Sequence, residues 1–245
     1  MLTKPKGLVV SKPGDLPKYV NFGLGGRAGV GKTHLLGTAG KKAKVLILDT
    51  EGGNVTYSSK SFKADPAASE IDVITFDETD LTKFIHSIES VFDHLIRTKN
   101  SDGYALVALD SLTEFQERFL SMHVAGDKRQ SYGALRDTVY GIVRKATQAP
   151  VHTVFTGRLK AAHDDVLNRE VVRFEVSPGV WAVISGLFDS LGYMSVERVG
   201  IGKNAQTSRI LDFTHNVRTE GKDRHGLGRI ENPTFEQIIS TLGGN

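Results

Sequence analysis

The chain contains no cysteine, which excludes disulfides and thiolate metal sites. That absence suits a reducing compartment, and a cytoplasmic location is the expectation. No apolar run approaches the roughly 18 residues of a membrane span, so no membrane partner is expected. The opening Met1-Leu-Thr-Lys-Pro-Lys-Gly7 has no apolar stretch of its own, and no secretory signal is read there. Internal repeats and low-complexity segments are also missing. Charge excess is small: the net charge is +3 and the pI about 9.0. Such a balance is compatible with nucleic-acid binding but does not select it. What remains is ordinary for a globular protein, with 39% hydrophobic and 24% charged residues in a chain of 245, long enough for one large domain and a full core.

Against this plain background one segment stands out. Gly26-Arg27-Ala28-Gly29-Val30-Gly31-Lys32-Thr33 fits G-x-x-x-x-G-K-[ST], the phosphate loop of nucleotide-binding proteins. Its glycines let the backbone wrap phosphates with N–H groups pointing inward, and the following helix adds positive potential at its N-terminus. Lys32 would reach the β- and γ-phosphates of ATP, and Thr33 would hold Mg²⁺. Tyr19–Leu24 reads as the strand entering the loop, and His34-Leu-Leu as the start of the helix leaving it.

Strands and helices alternate from there. Lys44–Leu48, Ile71–Phe76, Tyr104–Leu109 and Val151–Thr156 are short apolar runs of strand type. Leu81, Phe84, Ile85, Ile88, Val91, Phe92, Leu95 and Ile96 recur at helical spacing, with Thr79 or Asp80 as cap. Further helices are expected up to about Met122 and from about Tyr132 to Gln148. This alternation predicts βαβ units and a mainly parallel central sheet flanked by helices, an α/β fold. Toward the end, Leu191–Val199 and Gln206–Phe213, joined at Gly200–Asn204, predict an antiparallel hairpin. Asn232-Pro233 is expected to open a closing helix, with Asn as its cap. Residues 1–18, with Pro5, Pro13 and Pro17, read as an arm before a single domain over 19–245.

Two acidic positions complete a nucleotide-hydrolysis set. Asp110 ends an apolar strand and precedes Ser111, the form of a Walker B carboxylate that holds Mg²⁺; the alternative is an Asp capping the next helix. Glu51, in Asp49-Thr-Glu-Gly52, follows the strand after the phosphate-loop helix and is placed to position the attacking water; the alternative is a loop carboxylate without a role. No Asn/Thr-Lys-x-Asp occurs, which sets a GTPase aside, and no acceptor lid suggests a nucleotide kinase. His163-Asp164-Asp165 lacks a third ligand type at metal spacing and reads as a solvated loop. Trp181 reads as core packing at a helix start, and Tyr57 as a neighbour of the adenine ring.

In order and rough spacing, Gly26–Thr33, Asp49-Thr-Glu-Gly52 and Leu109-Asp-Ser111 resemble the RecA/RadA recombinase core. The likeness extends over about residues 19–213 and is nearest to phage RecA-core-only proteins, some of which anneal single strands. Arg129-Gln-Ser-Tyr-Gly-Ala-Leu135 and Asn232-Pro-Thr-Phe235 also look like that group. The resemblance implies a RecA-like P-loop ATPase fold, Glu51 as catalytic glutamate, single-stranded DNA as partner, and a place in phage-type recombination in a host cytoplasm. A single-strand-binding protein is a further partner class. Lys222-Asp-Arg224 resembles the Lys-x-Arg segment of DnaB-like helicases and KaiC-like ATPases, which reaches the γ-phosphate of a neighbouring subunit. That implies a homo-oligomer, ring or filament, with sites completed in trans; the alternative is a basic, solvated turn.

By position, two loops would face DNA in such a fold. Ala125–Gly133 holds Lys128, Arg129 and Tyr132, and Arg158–Pro178 holds Arg158, Lys160, Arg169 and Arg173. Cations there would neutralise phosphates and Tyr132 would stack on a base; the alternative is two ordinary surface loops. The chain departs from recombinases at Gly157-Arg158, where they carry a γ-phosphate-sensing Gln, leaving Arg158 as sensor or DNA contact or neither. It also lacks the Phe-x-x-Ala tether in its arm. A DnaB- or KaiC-like motor or switch is the competing expectation.

Overall fold

A computed structural model describes residues 19–41, 43–52, 56, 70–123, 127–164, 168–199, 206–216 and 218–242. The expected arm at 1–18, Tyr57, Asp165 and the hairpin turn at 200–204 lie outside the described residues. Strands β1 (Asn21–Gly26), β2 (Lys44–Asp49), β3 (Ile71–Thr75), β4 (Tyr104–Asp110), β5 (His152–Gly157) and β8 (Ser190–Val199) belong to one sheet. They lie in the order β8-β1-β5-β4-β2-β3, and every neighbouring pair is parallel. Beyond β8 the sheet turns antiparallel. β9 (Gln206–Asp212) pairs with β8, β11 (Arg229–Glu231) with β9, and the short β10 (Lys222–Asp223) with the start of β8. The expected mainly parallel sheet with a C-terminal antiparallel hairpin is therefore present.

Each central strand feeds two cores, because alternate side chains leave a strand on opposite faces. On β2, Leu46 and Leu48 enter one cluster and Val45 and Ile47 the other; on β4, Val107 and Leu109 oppose Leu106 and Ala108. The first face is covered by α2 (Leu81–Thr98), α3 (Leu112–Met122), α4 (Lys128–Ala146) and α5 (Pro178–Ile184). The second is covered by α1 (Lys32–Thr38) and α6 (Phe235–Leu242). The handedness rule explains the division. The chain moves from β1 to β2 in one direction across the sheet, then returns through β4, β5 and β8 in the other. Right-handed crossovers in opposite directions occupy opposite faces, so α1 is separated from α2, α3, α4 and α5.

Helix boundaries follow their caps. Asp80 caps α2 by accepting from the Lys83 amide at 2.9 Å. Three local expectations change. Helix α4 begins at Lys128, not near Tyr132, because the Asp127 carboxylate accepts from the Arg129 amide at 2.8 Å. The second expected loop is instead a hairpin of β6 (Leu159–Asp164) and β7 (Arg169–Phe174), paired Leu159 to Phe174 and Asp164 to Arg169. It folds onto the strand ends because Gly25 and Gly157 leave room. A Cβ on Gly25 would sit 2.4 Å from Leu159 and 2.7 Å from Phe174, and one on Gly157 2.7 Å from Phe174. Finally, Thr234 rather than Asn232 caps α6. The Gln237 amide donates to its hydroxyl while its own amide donates to the Gln237 side chain, a reciprocal capping box. Trp181 is buried in α5 as expected, and its indole N–H donates to Glu220 at 2.9 Å.

The entry edge of the sheet carries a titrating lock. The Val20 amide donates to His152 Nδ1 at 3.1 Å, which requires that nitrogen to be unprotonated. Burial first, and His225 second, push the His152 pKa down from 6.5 to about 4. A proton is therefore bound more readily by the unfolded chain, so this contribution is complete above pH 6.5 and is lost progressively toward pH 4. Urea unfolding at pH 7.5 and pH 5 should show a loss of about 2 kcal/mol on this account. His152→Asn keeps an acceptor near the Nδ1 position but does not titrate, and should flatten that part of the slope.

Candidate functional site

The site lies at the C-terminal ends of the parallel strands, where open α/β sheets present loops toward ligands. Strand β1 runs into the phosphate loop at Gly26, and α1 leaves it at Lys32. Gly31 has φ 105°, a left-handed value that favours glycine. Lys32 is buried and donates to the Gly26 and Arg27 carbonyls at 3.0 and 3.3 Å. Burial pulls its pKa below the usual lysine value; Asp110 and Glu51 oppose that shift and Arg158 adds to it.

Strand register assembles the acidic half. Pairing of β2 with β4 sets Asp49 opposite Asp110. Thr50 extends this contact past the strand ends. Its amide donates to the Asp110 carbonyl at 2.9 Å, its hydroxyl donates to the Ser111 carbonyl at 2.9 Å, and the Ser111 amide donates back to the hydroxyl at 2.8 Å. The Asp49 carboxylate accepts from the amides of Glu51 and Gly52 at 2.9 and 2.8 Å, folding a tight turn. The outcome is that Glu51, exposed to the cleft, accepts a 2.5 Å hydrogen bond from the Ser111 hydroxyl.

Asp110 is the centre of the arrangement. It is buried, with one oxygen accepting from the Thr33 hydroxyl at 2.6 Å and the other from the Thr156 hydroxyl. Burial raises its pKa, and those two hydroxyls oppose the rise. Ser111, not Asp110, caps α3 by accepting from the Glu114 amide. The Thr33 and Asp110 oxygens are hard donors side by side, beside the loop that receives phosphates. That donor chemistry fits Mg²⁺, which favours oxygen ligands and phosphate partners.

A cleft of about 300 Å³ is lined by Ala28, Gly29, Lys32, Thr33, Glu51 and Arg158, among others. Arg158 leaves β5 at the base of the β6–β7 hairpin. Its amide donates to Thr113 at 2.9 Å, and its guanidinium bridges Glu117 of α3 and Glu175 beyond β7. A family described as AAA domain matches residues 18–225. The chain belongs to this family. No curated protein matches it. Membership makes this AAA domain a P-loop NTPase domain and implies nucleotide binding with Mg²⁺.

The structure of this AAA domain brings Gly26–Thr33, Glu51 and Asp110 together, with Arg158 across the cleft. It places the remaining candidates elsewhere. Lys222 donates to the Gly186 and Phe188 carbonyls, and Arg224 pairs with Asp189 at 3.2 Å, all at the entry end of β8 and so opposite the chain's own phosphate loop. Lys128, Arg129 and Tyr132 lie in the first turns of α4, and Lys160 on β6. Arg169 opens β7, while the Arg173 guanidinium is held by Glu220 at 2.7 Å and Asp164 at 3.3 Å. Among the described residues no cluster of three acidic or histidine side chains is arranged for a separate metal, and none of the helices is long and apolar enough to cross a membrane. Sequence reading missed Thr156, which closes an apolar strand with a hydroxyl aimed at Asp110, and Ser111 as the partner of Glu51.

If the Thr33–Asp110 pair receives the metal, Asp110→Asn should remove the gain in nucleotide affinity that Mg²⁺ brings, roughly tenfold or more. Calorimetric titration of ADP with Mg²⁺ and with EDTA should show the gap in the unmodified protein and its collapse in the variant, with metal-free affinity kept.

Proposed function

We propose that the protein hydrolyses ATP and uses it to pair or anneal single-stranded DNA, as an oligomeric ATPase of the phage RecA-core type. The observation that carries the hydrolytic half is the position of Glu51. Its carboxylate stands in the phosphate cleft, held by Ser111, one strand away from the Thr33–Asp110 pair. A carboxylate so placed orients a water for attack on a terminal phosphate and accepts its proton. Lys32 and the loop amides hold the β- and γ-phosphates, and Arg158 offers a second cation to the charge that develops. Bound Mg²⁺ supplies neutralisation of phosphate charge.

The DNA half is supported by one face of α4. Arg129, Tyr132, Arg136, Tyr140 and Arg144 are all exposed and follow one another at three- or four-residue steps, which share a helix face. Tyr132 is 46% and Tyr140 43% exposed. Arg136 pairs only with its exposed neighbour Asp137 among the described residues, and such a pair holds it weakly. A stripe of alternating cations and aromatic rings is suited to single strands, whose phosphates and bases it meets together. Lys160 adjoins Tyr132 in a neighbouring groove. Arg158 and Arg173, bound by carboxylates, are not included in this surface.

A motor or switch ATPase is the second reading, and Arg224, half exposed at the opposite end from the phosphate loop, favours it as a group able to act on a neighbour's nucleotide. ATP turnover with and without single-stranded DNA tests the proposal. The expected result is stimulation by DNA, a fall of at least about 100-fold in turnover for Glu51→Gln at unchanged nucleotide affinity, and weaker DNA binding for Tyr132→Ala and Tyr140→Ala by about 1 kcal/mol or more each. Turnover indifferent to DNA removes the partner; turnover unchanged in Glu51→Gln removes the catalytic assignment; unwinding of a forked duplex selects the motor.

A further inference from the structure

Arg209 lies far from every motif in the chain, yet its side chain touches the phosphate loop. It projects from β9, opposite Val196 of β8, and its guanidinium Nε donates to the Val30 carbonyl at 3.2 Å. A Cβ on Gly31 would stand only 2.9 Å from the same nitrogen. Arg209 itself is pinned on both sides of its backbone. Its amide donates to the Asn232 side chain at 3.0 Å, and the Asn232 amide donates to its carbonyl at 2.6 Å. Asn232 adopts φ 46° there, a left-handed value that asparagine tolerates better than most residues. Among the described residues Arg209 has no carboxylate partner within an ion-pair distance. An exposed arginine held on a loop carbonyl has given up side-chain freedom, for a bond to a segment whose orientation decides phosphate binding.

Peptide geometry gives that bond a consequence. The C=O and the following N–H of a trans peptide lie in one plane and point to opposite sides. Holding the Val30 carbonyl toward Arg209, outside the loop, turns the Gly31 N–H inward, toward the cleft that Gly31 and Lys32 line. We infer that Arg209 is a positioning residue for nucleotide binding, which braces the Val30–Gly31 peptide so that its N–H is already aimed at the phosphates before they arrive. The inference rests on the phosphate loop as the nucleotide site. The bracing replaces an ordering cost that nucleotide would otherwise meet on binding, and the guanidinium charge adds attraction for the phosphates. It also accounts for the absence of any side chain at position 31 apart from the φ argument, since a Cβ there would displace the brace.

Calorimetric titration of Mg·ADP into the full chain tests this, with ATP turnover and nucleotide-free thermal midpoints measured alongside. Arg209→Met removes donor and charge. It should raise Kd about tenfold, the worth of one net hydrogen bond to a charged donor, and raise KM for ATP similarly, with kcat within about twofold and an unchanged midpoint without nucleotide. Arg209→Lys can still donate to the Val30 carbonyl and should restore Kd to within about threefold of the unmodified protein. Equal affinity in Arg209→Met overturns the inference, as does an Arg209→Lys variant no better than Arg209→Met, or a loss confined to kcat. Lys32→Ala separates the underlying reading: if it binds Mg·ADP as tightly as the unmodified protein, the phosphate-loop site itself is wrong.

Discussion

A buried carboxylate at the end of β4 is the constraint on which the site depends. Asp110 is nearly inaccessible, and a carboxylate taken out of water is costly unless it is hydrogen-bonded or opposed by a cation. Here the compensation comes from two separate parts of the chain: the Thr33 hydroxyl and the neighbouring Lys32 charge from α1, and the Thr156 hydroxyl from β5. Each of these groups is held in turn by the parallel strand order, which places the ends of β1, β5, β4 and β2 side by side. The cost of burying the charge is thus also what fixes the loop, the strand ends and the carboxylate in one geometry. Loss of either hydroxyl would leave Asp110 under-satisfied in a nearly dry position, and ionisation there would become less favourable.

The same strand ends connect the nucleotide cleft to the outer surface of the first face. Arg158 stands where β5 leaves the sheet and the β6–β7 hairpin begins, with its guanidinium shared between Glu117 and Glu175 and its amide on Thr113. A terminal phosphate in the cleft would compete with those carboxylates for the same cation. Any movement of Arg158 toward phosphate would break its contacts with α3 and with the base of the hairpin, where Glu175 follows β7. The Phe174 ring packed over Gly25 and Gly157 ties the base of that hairpin to the ends of β1 and β5. The α4 stripe lies on the same face of the sheet as α3, which carries Glu117, whereas α1 and α6 cover the opposite face.

Much of this was legible in the sequence because it depends on local pattern. The phosphate loop, the apolar runs ending in Asp49 and Asp110, and the amphipathic spacing of α2 are short-range signals, and each matches the element found. The errors fall where one side chain competes with periodicity. Asp127 extends α4 into a segment that reads as a loop, and Thr234 takes the capping role from Asn232 because the latter turns its side chain to Arg209. The hairpin at 159–174 was hidden because its strands mix charged and apolar residues on both faces, and their burial depends on distant residues: Gly25 and Gly157 beneath Phe174, and the Trp181 and Phe188 rings beside it. Thr156 and Arg209 carry no motif at all. Their roles arise from contacts 46 and 179 residues away in the chain, and such pairings are set by register across the sheet.

Register also explains why an antiparallel hairpin belongs in a parallel nucleotide-binding sheet. A seventh parallel strand would end beside β8, its last residue level with the other strand ends. An antiparallel strand instead runs back past them. β9 begins beyond the end of β1, opposite Val199, and brings Arg209 down alongside the loop before continuing to Asp212. β11 then pairs with its far edge and delivers Asn232 to lock it. The phosphate loop is therefore braced from two directions: from within by Lys32 on its own carbonyls, and from outside by a strand that only antiparallel topology could bring there. The loop amides face a ligand carrying several negative charges, and the carbonyls opposite them must be held by donors that the ligand does not displace. A Lys32 that turned to phosphate would release those carbonyls, so the outside brace is the one that would persist with nucleotide bound.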